Sequence, residues 1–441
     1  MAREYRDSGI EWIGQIPKEW EQYRIKYNTF LKGRIGWQGL NSSDFLDEGY
    51  CLITGTDFDN KGGVNWNSCY RISEERFNED ELLHVKKGDL LMTKDGTVGK
   101  MAFIKELPEE ASLNSHLLII RQLTKLIDNY FLYWMMLSDV FKGFSSYYQS
   151  GTIMSSISQS TLGFFACYCP PLPEQQRIAD YLDKVCGEVD EMVALQETML
   201  EELKAYKQSV ITEAVTKGLN PNVPMRNSGI DWIGEIPEGW KVCRIKNVAS
   251  LFGRIGFRGY TSDDLNKDGI GAITLSPSNM KPMGMDYQHV TFLSWKKYEE
   301  SPEIMIQNED LLMVKTGSSY GKVSYVSNLP REATINPQIL RIVPSILSKY
   351  LGYYMQTPLF LYQVEGGVVG GTIPTISQEK INNFYVVLPK GNEQRAIASY
   401  LDTKCSEIDS LIALKQAKID ELKEYKKSVI YEYVTGKKEV V

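Results

Sequence analysis

The sequence predicts an α+β protein with two tandem mixed α/β globular domains, separated by two long antiparallel coiled-coil helices and related by a pseudo-two-fold axis. Three observations lead to this prediction: the chain of 441 residues repeats itself once, each repeat ends in a long amphipathic segment, and each repeat contains short β-like runs between turns. Chain order requires the first helix to lead from the first globule to the second. If the second helix returns, the two helices pack antiparallel.

The repeat is a duplication. Residues 6–20 read RDSGIEWIGQIPKEW and residues 226–240 read RNSGIDWIGEIPEGW, with ten of the fifteen positions identical. Further pairs are GRIGWQGL (33–40) and GRIGFRGY (253–260), GDLLMTKDGTVGK (88–100) and EDLLMVKTGSSYGK (309–322), SGTIMSSISQ (150–159) and GGTIPTISQ (370–378), and EQQRIADYLD (174–183) and EQRAIASYLD (393–402). A repeat this long indicates duplicated domains and not a solenoid of short repeats.

The two copies have not diverged evenly. Between residues 184–218 and 403–437, 16 of 35 positions are identical, whereas between 41–78 and 261–298 only six of 38 are identical. One part of each copy was therefore held alike while another part was free to differ.

The well-matched part of each copy reads as one long helix. From Ile178 onwards apolar residues recur with 4-3 spacing, which is typical of a coiled-coil seam, and Gln196 is its polar member. In the second copy Lys404, Lys415 and Lys418 fall on the strict seam positions. The residues predicted for helix packing or partner docking are Leu182, Val189, Met192, Leu203, Tyr206 and Val210 in the first helix and Leu401, Ile408, Leu411, Leu422, Tyr425 and Val429 in the second. About 40 residues of helix make a rod of roughly 60 Å, so a spacer is expected. Two amphipathic helices inside an ordinary α/β core remain the alternative.

The predicted boundaries follow the repeats. The first domain covers residues 1–173, the first helix 174–220, the second domain 221–392 and the second helix 393–441. Within the domains, β-like runs such as DLLMT and SHLLIIRQL lie among Gly, Asn and Asp turns. The line SGIxWIGxIPxxW stands where a helix meets the next domain, and its Trp and Ile residues are predicted to pack that junction.

Composition and motifs exclude several classes of function. The net charge is −7, with 43% apolar and 24% charged residues, which is typical of a soluble protein. Neither a signal peptide nor an apolar run of the ~18–20 residues needed to span a membrane is found. Seven cysteines without a CxxC pair, and only three histidines, predict a reduced, cytoplasmic protein without a metal site. No phosphate-binding loop, methyltransferase tetrapeptide, zinc-protease or serine-hydrolase motif is complete, so no catalytic residue or cofactor is predicted for this chain.

In combination, these motifs resemble a known family. The tandem layout, SGIxWIGxIPxxW after each helix, GDLLMTKDGTVGK inside the globule and PPLPEQQRIADYLD at the start of the first helix resemble the DNA-specificity subunit of type I restriction–modification systems. The resemblance covers essentially the whole chain. It implies two target-recognition domains held apart by conserved antiparallel helices, each domain reading one half of a bipartite double-stranded DNA site.

The resemblance also implies the partners of this non-catalytic chain. The helices would dock two copies of the modification subunit, an adenine-N6 methyltransferase that uses S-adenosylmethionine. The complex would recruit restriction translocase–nuclease subunits that depend on ATP and Mg²⁺. The uneven divergence fits this implication. Two identical partners require similar docking helices, whereas two half-sites of different sequence require different DNA-reading surfaces.

The candidate DNA contacts combine basic, aromatic and small polar residues. Glycines beside Arg34 or Arg254 would let the backbone approach DNA, and lysines among small hydroxyl residues suit a phosphate loop. The predicted DNA-binding residues are Lys32, Arg34, Trp37, Lys94, Thr97, Lys100, Thr152 and Gln159 in the first copy and Arg254, Phe257, Arg258, Lys315, Ser318, Lys322, Thr372 and Gln378 in the second. A structural role stays open for each motif: an arginine paired inside a turn, solvated lysines on a β-turn, or packing before a strand.

Neither globular region carries a strong positive charge, and two other functions stay open. Residues 1–174 carry 18 basic and 23 acidic side chains, and residues 226–392 carry 17 and 15. Because neither region is strongly basic, much of the phosphate neutralisation is expected from the partner subunits. A pseudo-symmetric protein-binding scaffold would give no sequence-dependent DNA footprint in the full complex. A cryptic magnesium-dependent nuclease would cleave DNA as the purified single chain.

Overall fold

The computed structural model describes residues 3–34, 40, 42–149, 156–254, 256, 259–266, 268–369 and 373–440. The chain forms two compact units, which are Met1–Glu197 with Gln416–Val441, and Thr198–Lys415. Each unit contains one globular domain and a part of each long helix.

The domain of the first unit is mixed α/β, as predicted. Its elements are β1 (Tyr5–Asp7), β2 (Gln15–Pro17), β3 (Glu21–Arg24), α1 (Ile25–Asn28), β4 (Thr29–Lys32), β5 (Tyr50–Ile53), β6 (Tyr70–Ile72), α2 (Glu74–Asn78), β7 (Leu90–Thr93), β8 (Met101–Phe103), β9 (Ala111–Leu113), β10 (Leu117–Gln122), α3 (Asn129–Leu137), α4 (Asp139–Gln149), α5 (Gln159–Leu162), β11 (Ala166–Cys169) and the start of α6 (Leu172–Lys217). The main sheet has the order β4-β10-β7-β8, a second sheet has the order β6-β5-β9, and β1 pairs with β2 and β3 with β11.

The runs DLLMT and SHLLIIRQL, predicted as strands, form β7 and β10. Alternate residues of β7 enter two different cores: Leu90 and Met92 pack into the cluster that includes the helices, and Leu91 packs into the cluster around β5 and β9. A strand buried on both faces has no polar face, which explains why these runs are continuously apolar.

The second unit repeats this plan. Its elements are β12 (Met225–Asn227), β13 (Glu235–Pro237), β14 (Lys241–Arg244), β15 (Ala249–Gly253), β16 (Leu265–Asn266), β17 (Ala272–Leu275), β18 (Met280–Lys281), β19 (Gly284–Met285), β20 (Thr291–Leu293), α7 (Trp295–Glu299), β21 (Leu311–Val314), β22 (Val323–Tyr325), β23 (Ala333–Ile335), β24 (Ile339–Pro344), α8 (Ser348–Tyr354), α9 (Pro358–Gly367), α10 (Gln378–Asn382), β25 (Tyr385–Leu388) and α11 (Gly391–Val434). Its main sheet has the order β15-β24-β21-β22, beside a sheet of order β16-β20-β17-β23 and the pairs β12-β13, β14-β25 and β18-β19.

The two long helices are continuous, with 46 residues in α6 and 44 in α11. At 1.5 Å per residue they measure about 65–70 Å. Each begins two residues before the predicted boundary, and a buried glutamine secures each start. Gln175 Nε2 donates to the carbonyl of Pro170 at 2.7 Å, and Gln394 Nε2 donates to the carbonyl of Pro389 at 2.9 Å.

Within each unit the two helices pack antiparallel, as predicted. In the first unit Lys426 Nζ lies 2.7 Å from Asp190 Oδ1, and Lys423 Nζ lies 3.0 Å from Glu197 Oε1. The residue number therefore rises along α6 as it falls along α11. These contacts lie inside one unit, so the pseudo-two-fold relation between the two units stays a prediction.

The observed seam between the helices shares alternate residues with the predicted seam, and at the remaining seam positions a neighbouring residue is buried instead. Its buried residues include Leu182, Cys186, Val189 and Leu200 in α6 and Leu401, Cys405, Ile408, Ile419, Leu422 and Val429 in α11. Of the residues predicted for helix packing or partner docking, Leu182, Val189, Leu401, Ile408, Leu422 and Val429 are buried, and Leu203 and Val210 are half-buried. Met192, Tyr206, Leu411 and Tyr425 do not pack in the seam, because they are 46%, 58%, 47% and 52% exposed, so partner docking is the predicted role that stays open for them.

The error has a geometric cause. Residues three and four apart lie on the same side of a helix, so an apolar pattern can be read in either of two heptad registers. In the observed register the seam contains Cys405 and Ile419 in place of Lys404 and Lys418. Lys404 and Lys418 therefore lie off the seam, whereas Lys415 is half-buried on it, with its Nζ 3.5 Å from Met199 Sδ of α6.

The line SGIxWIGxIPxxW packs against the end of a long helix in both units, as predicted. In the first unit Trp20 shares a core with Val434 at the end of α11. Gly436 follows that helix with φ of 70°, and a Cβ there would lie 2.5 Å from Pro17 Cγ, so only glycine fits. In the second unit Trp240 packs in the core that includes the last turns of α6.

Candidate nucleic-acid interface

Several loops meet at one edge of the main sheet in each unit. In the first unit β4 and β7 flank β10 and both run antiparallel to it, with Thr93 opposite Leu117. β4 and β7 therefore end at the same edge, where the residues that follow them, Gly33 and Lys94, come together. In the second unit β15, β24 and β21 repeat this arrangement.

We name this place the strand-end site, which consists of Gly33, Lys94 and Gln159 in the first unit and Gly253, Lys315 and Gln378 in the second. A Cβ on Gly33 would lie 2.9 Å from the Leu117 carbonyl oxygen and 3.7 Å from Lys94 Nζ. A Cβ on Gly253 would lie 3.5 Å from Lys315 Nζ and 3.7 Å from Gln378 Oε1. Three motifs that are distant in the chain therefore meet, and a Cβ on either glycine would clash with the neighbouring strand, at 2.7 Å from Leu118 Cδ2 or 2.8 Å from Leu340 Cδ2.

The glutamine of each site is held against the neighbouring strand. Gln378 Nε2 donates to the carbonyl of Leu251 at 2.7 Å, and Gln159 Nε2 donates to the carbonyl of Leu31. Each glutamine opens a short helix, α10 or α5, whose N-cap is the preceding serine. One amide donor is thus used inside the domain, so the glutamine fixes the short helix beside the lysine.

Within the described part of the chain, the lysine of each site has no acidic counterpart. Among the residues that the structure describes, no carboxylate lies within ion-pair distance of Lys94 or Lys315. Burial lowers the pKa of Lys315, because the surroundings remove water from the ammonium without supplying an opposite charge. A cation in this state gains more from an incoming anion than a fully hydrated lysine does.

Arg34 and Arg254 lie inside their domains, which departs from the prediction of DNA contact. Arg34 is 1% exposed, and its guanidinium donates to the carbonyl of Leu113 at 3.0 Å and to Ser112 Oγ at 3.1 Å. Arg254 is 5% exposed and donates to Thr334 Oγ1 at 3.1 Å. Burial lowers the pKa of both guanidinium groups. The structure therefore corrects the prediction: both arginines brace the end of a strand and are not available to a phosphate.

The other predicted contacts fall into three groups. Lys32 Nζ forms an ion pair with Asp80 Oδ2 at 2.7 Å, and Lys322 Nζ donates to the carbonyl of Pro277 at 3.4 Å. Thr97, Lys100 and Ser318 lie in the loops that follow β7 and β21, where all three are exposed. Trp37, Thr152, Phe257, Arg258 and Thr372 lie outside the described residues.

The structure adds polar residues that sequence reasoning missed. The loop after β9 presents His116 and the equivalent loop after β23 presents Gln338, whose backbone carbonyls accept from Lys94 N at 2.9 Å and Lys315 N at 2.8 Å. The backbone bonds place these loops directly beside the strand-end site. The only signal in the sequence was their place in the repeat, as NSH opposite NPQ.

A second loop at this edge comes from the divergent part of each copy. After β5, Thr54 Oγ1 and Thr56 Oγ1 lie 2.7 Å apart, and after β17 the same distance separates Ser276 Oγ from Ser278 Oγ. Neither Thr56 nor Ser278 is buried. The two units therefore build the same turn with different residues.

The long helices carry exposed apolar side chains at equivalent positions. Met192 and Leu195 in α6 correspond to Leu411 and Leu414 in α11, and Tyr206 corresponds to Tyr425. Their exposed fractions are 46% and 55%, 47% and 67%, and 58% and 52%. We name these residues the helix face of each unit, which is Met192, Leu195 and Tyr425 in the first unit and Leu411, Leu414 and Tyr206 in the second. These large apolar side chains stay exposed at matched positions of the two helices.

The described part of the chain shows neither a metal cluster nor a membrane-spanning helix. Across these residues, no group of three or more His, Cys, Asp or Glu side chains is arranged to hold a metal ion. In the same part of the chain, none of the helices is both long and apolar enough to cross a membrane.

Comparisons with known proteins point to one family. The model of the type I restriction modification DNA specificity domain matches residues 35–205 and 237–424. The type I restriction enzyme MjaVIII specificity subunit of Methanocaldococcus jannaschii is 22% identical over 429 residues, which cover 96% of this chain and 94% of that protein. The EcoKI specificity subunit of Escherichia coli is 21% identical over 428 residues, which cover 91% and 86%.

Solved structures share the fold. A chain from a structure that describes complex assembly and conformational transition of the type I R-M system superposes with a TM-score of 0.73 at 16% identity, covering 95% of this chain and 98% of that chain. The HsdS subunit from Thermoanaerobacter tengcongensis gives a TM-score of 0.51 at 16% identity, with 96% and 98% covered. The two domain matches cover most of the sequence, and they fall on the two copies of the duplication. The chain therefore belongs to the type I restriction modification DNA specificity family and is a specificity subunit with two DNA-specificity domains.

Proposed function

We propose that each unit reads one half of a bipartite DNA site at its strand-end site. The observation that carries this proposal is that the two units build the same edge with different residues. Gly33 with Lys94 and Gly253 with Lys315 keep one geometry, whereas the bordering loops come from stretches that differ between the copies. A common frame with variable side chains suits two half-sites of different sequence.

The chemistry of the edge divides into two tasks. The lysines supply phosphate contacts, which position the protein but carry no sequence information. The loop residues supply donors and acceptors at the depth of the base edges, where His116 and Thr56 face one half-site and Gln338 and Ser278 the other. Sequence preference would then reside in the loops, and affinity would reside partly in the lysines.

The helix face would bind the modification subunits. Two identical partners require two equivalent surfaces, and Met192, Leu195 and Tyr425 in the first unit have matched counterparts in the second. Exposed aromatic and methionine side chains are enriched in protein interfaces. The proposal is therefore one methyltransferase per unit.

The catalytic parts would belong to the partners. The methyltransferase subunits would bind S-adenosylmethionine and modify adenine at N6, and the restriction subunits would use ATP and Mg²⁺. The chain itself would carry no catalytic residue. Its substrate, chromosomal and incoming DNA, would place the complex in the cytoplasm.

Single-molecule mapping of N6-methyladenine tests the proposal. The chain is co-expressed with its methyltransferase in a host free of other adenine methylation. We expect a two-part motif with a fixed gap. His116→Ala should relax one half of the motif, and Gln338→Ala should relax the other half only. Lys296→Ala, an exposed change outside the strand-end site, is the control and should leave both halves intact.

Two results would contradict the proposal. If both loop variants alter the same half of the motif, one unit does not read one half-site. If the complex assembles without any motif, the chain is a protein-binding scaffold instead.

A further inference from the structure

Each unit carries a second basic feature, at a distance from the strand-end site. The sequence Arg-Ile-Lys occurs at residues 24–26 and again at 244–246. Arg24, Lys26, Arg244 and Lys246 are exposed, and the intervening isoleucine is fully buried in both units. Packing in the core explains why the isoleucine is the same in both copies. It does not explain why both copies also keep the two exposed cations.

The cations of the second unit converge. Arg244 Nη1 donates to Asn383 Oδ1 at 3.1 Å, and Lys246 Nζ donates to the same oxygen at 3.2 Å. The guanidinium also lies 5.6 Å from the centre of the Tyr385 ring. Two cationic nitrogens that share one neutral acceptor repel each other, and they are close enough to contact one phosphate group. Among the described residues, neither cation has a carboxylate within ion-pair distance.

A short helix connects these cations to the strand-end site. Gln378, the first residue of α10, is bonded to β15, and Asn383 directly follows the last residue of α10. Five helical residues span about 7 Å, which is roughly the rise of two base pairs. Lys380 lies between the two ends, is exposed, and donates to the carbonyl of Gly367 at 3.1 Å.

The first unit repeats the connection. Gln159, the first residue of α5, is bonded to Leu31, and the carbonyl of Gly163, just after this helix, accepts from Lys26 N at 3.2 Å. Lys26 and the preceding Arg24 thus lie at the end of the helix that starts beside Lys94. The first unit has fewer cationic side chains along this connection, because α5 contains no lysine.

We propose that these residues form a phosphate-binding strip that follows one DNA strand away from the strand-end site. The strip consists of Lys94, Lys26 and Arg24 in the first unit and Lys315, Lys380, Lys246 and Arg244 in the second. The inference rests on the proposed function, because it extends the same DNA contact. Glu379 is the one acidic side chain on α10, so the strip of the second unit remains cationic.

Salt-dependent binding by the complete methyltransferase complex tests the strip. The dissociation constant is measured for a duplex with the mapped motif and for an unrelated duplex, over a series of salt concentrations. Each phosphate contact contributes about 0.9 to the slope of log K against log salt. The double variant Arg244→Gln with Lys246→Gln should reduce the magnitude of this slope by about 0.9–1.8. It should weaken binding to both duplexes by the same factor and leave the methylated motif unchanged. Lys380→Gln alone should reduce the magnitude of the slope by at most about 0.9.

Two controls distinguish a lost phosphate contact from a general loss of positive charge and from partial unfolding. Lys296→Gln removes an exposed lysine of the same unit outside the strip and should not change the slope. The thermal midpoint of each variant should equal that of the unchanged chain, because the altered side chains are exposed.

If the double variant forms the intact complex and its salt slope is unchanged, the proposed strip is wrong. Loss of methyltransferase binding by the double variant would also overturn it and would assign the cations to a protein interface. Failure of the proposed function would look different: the unchanged complex would have no motif, while the strip variants could still reduce binding to any duplex.

Discussion

Lys426 on α11 donates to both carboxylate oxygens of Asp190 on α6, each at 2.7 Å. In the second unit Lys207 Nζ contacts both carboxylate oxygens of Asp409 at 2.6 Å. The two contacts involve equivalent residues with the helices exchanged. Exposed pairs of this kind add at most about 1 kcal/mol, but they mark the register that buries Leu422 and exposes the helix face.

That register predicts opposite effects for two leucines of α11. Leu422 is 8% exposed, so Leu422→Ala should lower the free energy of unfolding by about 2–4 kcal/mol through the cavity that it leaves. Leu414 is 67% exposed, so Leu414→Ala should leave stability within about 0.5 kcal/mol and weaken methyltransferase binding. Chemical denaturation and a pull-down with the methyltransferase measure the two effects. Equal losses of stability would show that the register is different.

The buried position of Arg34 predicts a structural phenotype. Arg34→Met should destabilise the first unit by about 2–3 kcal/mol, because the carbonyl of Leu113 and Ser112 Oγ lose a charged donor in the interior. Arg24→Met, which changes an exposed arginine of the same unit, should leave the thermal midpoint unchanged. A normal thermal midpoint for Arg34→Met combined with lost DNA binding would instead support direct contact.

The partly buried ammonium of Lys315 is expected to lower stability while it favours DNA binding. Its pKa is lowered by burial, so between that value and the unfolded value the unfolded chain binds the extra proton, and stability rises with pH. Lys315→Met should raise the thermal midpoint at neutral pH and weaken binding to DNA. Because a bound phosphate favours the charged form, affinity should fall as pH rises through the lowered pKa.

The matched variant is Lys315→Arg, whose charge persists and whose binding should lose this pH dependence. Tighter DNA binding by Lys315→Met would contradict a phosphate contact at this site.

The two glycines of the strand-end site predict unequal costs. A Cβ on Gly33 would meet the Leu118 side chain at 2.7 Å and also the backbone carbonyl of Leu117 at 2.9 Å, whereas the close contact of one on Gly253 is with the end of the Leu340 side chain at 2.8 Å. Gly33→Ala should therefore cost about 1–3 kcal/mol and Gly253→Ala less. Gly366→Ala in α9 is the control: its Cβ meets nothing within 4 Å, so it should gain up to about 1 kcal/mol. Thermal denaturation of the three variants would rank them, and the reverse order would contradict the geometry.

Much of the site was visible in the sequence as separate motifs but not as an arrangement. Lys94, Lys315, Gln159 and Gln378 were identified because they recur at equal places in both copies. Arg34 recurs in the same way, yet it braces the interior. Recurrence reports that a residue is needed and does not report whether it faces DNA or its own domain.

The sequence by itself determined the duplication, the α+β class, the two long helices, the packing role of the SGIxWIGxIPxxW line and the family, because each rests on a pattern that is local or repeated in the chain. Only the tertiary structure decided the register of the helix seam, since residues three and four apart share one side of a helix. It also decided that Arg34 is buried, and that His116 lies beside Lys94, because strand order brings together loops that the sequence keeps apart.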